Sequence, residues 1–198
     1  QELKSVLLEE SPWVVEAKNE SQAKRNIGLL FDENTTAPAL KRAVQKLVDM
    51  QLPDGSWPWF PGGPGNDYIT LYIVTGFGRL EHLGVPGIAR EAVLRAVGRL
   101  DSWIREVHER ILADKTEKLN NLSPSIALYL YARSFFLDGC PIPDASRKAL
   151  DYFLGQGAAF WLQLDSRQSQ AHLAVGLNRF GDAETARKIT RSLKERSK

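Results

Sequence analysis

The chain has 198 residues, 43% hydrophobic and 25% charged, the proportions of a globular protein with a sizeable core. Its 26 basic and 24 acidic residues leave a net charge of +2, too even a balance to offer phosphates a cationic face, so nucleic acid is not an expected partner. The single Cys140 precludes an internal disulfide, His82, His108 and His172 lack metal-ligand spacing, and no apolar run approaches the ~18 residues of a membrane span, so no metal, other cofactor or transmembrane segment is expected.

In chain order, Leu3 to Glu9 and Gln22 to Phe31 are short helix candidates. Leu40, Val44, Leu47 and Val48 then form a one-sided apolar stripe between Lys41, Arg42, Gln45 and Lys46, predicting an amphipathic helix that ends before Pro53. An irregular segment, Met50 to Gly63, follows. Tyr68 to Leu83 reads as a helix apolar nearly all round, capped by Asn66 or Asp67. Ile88 to Ile111 carries an amphipathic stripe through Leu94, Leu100 and Ile104. Ser125 to Phe136 is again apolar on every side. Asp144-Ala145-Ser146 reads as a helix start, with Leu150, Phe153 and Leu154 on one face. Ser169 to Phe180 is the third all-round apolar helix. After Gly181-Asp182 comes an amphipathic one with Ala186, Ile189 and Leu193 inside. Its other face carries Arg187, Lys188, Arg191 and Lys194, cations suited to solvent and to the negative end of the helix dipole. No segment reads as a strand.

A helix apolar all round is expected to be buried on all sides. Tyr68, Tyr72, Tyr129, Tyr131 and His172, which lie on such helices, therefore read as core residues with satisfied polar atoms. Each is followed across a Gly- or Pro-bearing turn by an amphipathic partner, a degenerate repeat of roughly 45 residues. The fold class is thus all-α. Inner helix, turn and outer helix in repetition describe an α/α-toroid, its ring complete or incomplete, or an open α-solenoid.

The segment Met50 to Gly63 holds the most distinctive pattern, Gln51-x-x-x-Gly55-x-Trp57. Asp54-Gly55 makes a tight turn after a helix, and Gln51 can both donate and accept hydrogen bonds at that helix end. The pattern resembles the turn that recurs in α/α-toroids, among them terpenoid cyclases, protein prenyltransferases and the thioester domains of the α2-macroglobulin and complement family. Trp57, Trp59 and Phe60, with Asp67 and Tyr68 beyond them, form a candidate interaction surface. Enzymatic readings find less to work with. The Asp-rich motifs of a terpenoid cyclase are missing, and Cys140 lacks the partners of a prenyltransferase zinc site. A polysaccharide lyase of toroid fold would need Tyr, His and Arg converging in its cleft.

Taken in order, several segments resemble bacterial, Bacteroidetes-type α2-macroglobulin proteins. These are Leu7 to Val14, Lys24-Arg25-Asn26-Ile27 with Leu29-Leu30-Phe31-Asp32, and Met50 to Gly63 with Asp67-Tyr68-Ile69-Thr70. Gln170 to Ala174 with Arg179-Phe180-Gly181-Asp182, then Ser192-Leu193-Lys194-Glu195, complete the series. The resemblance implies that residues 1–198 are one helical domain, or part of one, cut from a larger extracytoplasmic protein, periplasmic or anchored as a lipoprotein. Such a protein would act in protease trapping, defence or host interaction. The domain would pack against neighbouring β-sandwich domains of the parent. The family's thioester joins a Cys to a Gln within Cys-x-Glu-Gln, whereas Cys140 precedes Pro141-Ile142-Pro143. No catalytic residue is therefore carried over, and no enzymatic activity is expected.

Overall fold

The computed structural model describes residues 33–196, so the helix candidates before residue 32 lie outside the described residues. The chain divides into two compact units, Gln1–Leu47 and Val48–Lys198. Helix α1, Glu33–Met50, supplies the described part of the first unit and runs into the second. Its least exposed stripe is Leu40, Val44, Leu47 and Val48, as the periodicity predicts.

The second unit is all-α apart from one minimal ribbon. Its helices are α2 (Asp67–His82), α3 (Arg90–Ala113), α4 (Pro124–Arg133), α5 (Asp144–Phe160), α6 (Arg167–Arg179) and α7 (Ala183–Glu195). They pack as three neighbouring hairpins, α2 with α3, α4 with α5, and α6 with α7. In one layer α4 lies between α2 and α6; in the other, α3 packs on α5. The turns after α2 and α6 share one bond pattern. Val85 N donates to Leu80 O and Gly84 N to Glu81 O, both at 3.0 Å. Asp182 N and Gly181 N repeat this on Leu177 O and Asn178 O, which satisfies the last carbonyls of each helix.

Three local expectations need correction. The sequence shows no strand, yet Trp57–Pro58 (β1) pairs antiparallel with Gly65–Asn66 (β2). Two residues are too few to display a period of two. Helix α4 ends at Arg133 rather than Phe136. Helix α5 begins at Asp144, but Pro143 occupies the capping position and no side chain caps it. The Ser146 hydroxyl instead donates to the Asp101 carbonyl at 2.8 Å, tying α5 to α3.

Burial all round holds for α4 alone, where Ile126 to Leu130, Ala132 and Arg133 are all buried. Among the described helices, α2 and α6 each pack on α4 as their inner-layer neighbour. Along α2, Tyr68, Tyr72, Gly76 and Arg79 are exposed, and along α6, Ala171, Val175 and Asn178. One charge cluster sits inside the layers. Arg133 Nε donates to Asp101 Oδ1 at 2.9 Å, Tyr129 Oη donates to the same oxygen at 2.8 Å, and Arg133 Nη2 donates to Cys140 O at 2.7 Å. Burial, then the Asp101 carboxylate, push the Tyr129 phenol well above its usual range, so it remains a donor. Tyr129 is thus a satisfied core tyrosine, as expected.

Candidate functional site

Two surfaces concentrate chemistry, and the first is the turn after α1. Gln51 Nε2 donates to Gly55 O at 3.0 Å and to Ala92 O at 2.8 Å. Its Oε1 accepts from Arg95 Nη2 at 2.7 Å and Nε at 3.2 Å. One glutamine side chain therefore binds both the turn and α3. Asp54 Oδ1 accepts from Ser56 N at 3.0 Å and from its hydroxyl at 2.7 Å, bonds that hold the Asp54 carboxyl below its usual range. Arg99 of α3 joins Asp67 at 2.9 Å, Glu106 at 3.2 Å and Asp54 at 3.8 Å. Burial raises the Asp67 pKa, an effect opposed by Arg99.

This frame separates the aromatic residues. Trp57 is 1% exposed, with its ring centroid 6.4 Å from that of Phe77 and its backbone N–H donating to Thr70 Oγ1 at 2.9 Å. It belongs to the core rather than to an outward surface, because the ribbon turns its side chain inward. Trp59 and Phe60, 66% and 57% exposed, do project into solvent. Asp67 serves in the Arg99 ion pair. Asn66 caps α2, its Oδ1 accepting from Ile69 N at 3.0 Å.

The second surface is a groove of about 270 Å³ with α2 and α6 as walls and α4 as floor. Tyr68, Pro124 and Gln168, from the first turns of the three helices, line it together with Arg79, Leu128 and His172 further along, so the three helices run parallel. Tyr68 and Tyr72 are 52% and 68% exposed. Arg79 Nε donates to Tyr131 Oη at 3.2 Å, and Arg79 Nη2 lies 3.3 Å from His172 Nε2. The Tyr131 ring stacks on His172 with centroids 4.7 Å apart and planes 11° from parallel. With Arg79 as donor, His172 Nε2 is the acceptor and its ring is neutral. Burial, then the Arg79 charge, lower the His172 pKa accordingly.

No family model, curated protein or solved structure matches this chain. The site rests on its own geometry.

That geometry brings Tyr68, Tyr72, Arg79 and His172 to one concavity, with Tyr131 in contact with the last two. It does not join them to the Trp59–Phe60 pair as one chemical centre. Reading Tyr68, Tyr72 and His172 as core proves wrong for the two tyrosines and incomplete for His172, which is half-buried. The overlooked signal was Tyr68, Tyr72 and Gly76 at steps of four on α2, one helix face whose glycine leaves the wall low. A larger depression of about 830 Å³ lies between α6 and α7 under the cationic side chains Arg187, Arg191 and Lys194. Among the described residues no group of three or more His, Cys, Asp or Glu could hold a metal, and no helix is long and apolar enough to cross a membrane.

Proposed function

We propose that the chain is a non-catalytic interaction domain of the α2-macroglobulin type, a segment of an α/α-toroid that docks against other polypeptide. The observation that carries this reading is the turn at Gln51–Gly63. It is fastened by Gln51, Asp54 and Thr70, yet it holds Trp59 and Phe60 in solvent. An aromatic pair carried on a fastened turn loses little backbone entropy on binding and suits a protein interface. The ordered resemblance of the segments supports the family, and the three helix pairs in two layers support the toroid. The parent would be an extracytoplasmic protease-trapping or host-interaction protein, with β-sandwich domains as the first partners of this surface.

Photo-cross-linking tests the reading. With p-benzoyl-phenylalanine in place of Trp59, irradiation in the source cell gives an adduct to β-sandwich polypeptide, identified by mass spectrometry. An unmodified chain after irradiation would refute the docking role. Methylamine should not be incorporated at Cys140 or at any glutamine of the isolated chain.

A second reading is favoured by one observation, the contact of Arg79 and His172 in an open groove, with Tyr131 touching both. A lyase of toroid fold acting on an acidic polysaccharide would use such groups to abstract a proton beside a carboxylate. Rising ultraviolet absorbance on mixing the chain with polygalacturonate would establish it in place of the first.

A further inference from the structure

Building on the interaction-domain reading, we propose that the α2–α4–α6 groove binds an extended, carboxylate-bearing peptide segment of a protein partner. Arg79 takes the carboxylate, while Tyr68, Tyr72, Pro124 and Leu128 take the adjoining apolar side chains. Charge complementarity carries the assignment. The groove lining contains Arg79 but no aspartate or glutamate. Among the described residues, Arg90, Arg99, Arg105, Arg133 and Arg147 each pair with a carboxylate, whereas Arg79, like Arg95 and Arg179, does not. Arg79 has instead two neutral partners, the Tyr131 hydroxyl and the His172 ring nitrogen. These bonds engage Nε and Nη2, and the guanidinium carbon lies 5.3 Å from the centre of the Tyr131 ring. These contacts orient the guanidinium, and among the described residues no carboxylate pairs with it. An oriented guanidinium in a partly enclosed site forms stronger, more selective bonds to carboxylate than a free surface lysine does. The positive ends of three parallel helix dipoles lie at one end of the groove and add to its preference for anions.

The rest of the lining selects polypeptide over the other anionic polymers. One arginine cannot neutralise a row of phosphates. Sugar hydroxyls seek strong acceptors, and the lining offers no carboxylate to them. The two tyrosines, Pro124 and Leu128 match leucine-like side chains flanking an acidic residue. Gly76 leaves the groove open, since a Cβ there would meet no atom within 4 Å.

Fluorescence polarisation tests the proposal with a fluorescein-labelled peptide alternating glutamate and leucine, and with its glutamine–leucine counterpart. The acidic peptide should bind saturably. Loss of charge on either side, in the glutamine peptide or in Arg79→Gln, should weaken binding about tenfold or more. Gly76→Leu, which fills the groove with a better helix former, should abolish binding, whereas Leu119→Ala on the exposed α3–α4 connection should leave it unchanged. Far-ultraviolet circular dichroism checks that each variant is folded. Equal binding of the two peptides, no binding of either, or full affinity in Arg79→Gln and Gly76→Leu would overturn the assignment. Displacement of the peptide by polygalacturonate would transfer the groove to acidic polysaccharide and overturn it as well. The readout is independent of the Trp59 adduct, so the groove and the docking turn can fail separately.

Discussion

At the scale of single residues, the same residue type meets opposite fates according to what lies across from it. Tyr129 and Tyr131 are two positions apart on α4, yet Tyr129 is fully buried against Asp101 while Tyr131 is half-buried, accepting from Arg79 and stacking on His172. Both read as core in the sequence, because an apolar helix gives no sign of which side lacks a neighbour. The buried Asp101–Arg133 pair makes a sharp prediction. Arg133→Met strands the Asp101 carboxylate without its counter-charge and should lower stability by about 3–5 kcal/mol in urea denaturation. The double variant Asp101→Leu/Arg133→Met removes both charges and should be the milder of the two. The histidines set a pH dependence. Burial, then Lys148, lower the pKa of His108, as burial and Arg79 lower that of His172. As pH falls, the unfolded chain therefore binds protons before the folded one does. This stabilisation is complete above about pH 6.5, is lost as pH falls from there through the folded pKa values, and stays flat below them. The urea midpoint should accordingly fall on acidification across that window, and His108→Gln/His172→Gln should flatten the profile.

At the scale of elements, the turn after α1 shows what a short pattern can specify. Gln51, Gly55 and Trp57 were legible as a structural turn, and the three contribute differently. Gln51 binds α3, Trp57 enters the core, and Gly55 lets the two meet. Gly55 has φ +87°, and a Cβ on it would stand 2.5 Å from the Arg95 carbonyl oxygen. Gly84 also has positive φ, at +71°, but a Cβ there would meet open space. Gly84→Ala should therefore cost only the left-handed backbone penalty, about 1–2 kcal/mol. Gly55→Ala adds a clash with a helix backbone that cannot yield, so its thermal midpoint should fall well below that of Gly84→Ala. The contact from Gln51 to Ala92 spans 41 residues and could not be read from spacing, although the need for a hydrogen-bonding residue at that helix end could.

At the scale of the whole molecule, the residues from Val48 onward form a compact unit by themselves. A chain of residues 48–198 is expected to unfold in one cooperative transition, with coincident circular-dichroism and tryptophan-fluorescence midpoints. Separated midpoints would contradict it. The sequence by itself determined the helical class, the order of helices in this unit and the turns that divide them. These depend on local quantities: periodicity along one helix, a capping side chain, a glycine after the last turn. Tertiary structure alone decided which faces of the apolar helices stay open. Burial of a face depends on whether another helix lies opposite, and the sequence of that face does not contain the answer. The same reason hid the groove. Arg79 meets Tyr131 across 52 residues and His172 across 93, a juxtaposition made only when α2, α4 and α6 lie side by side.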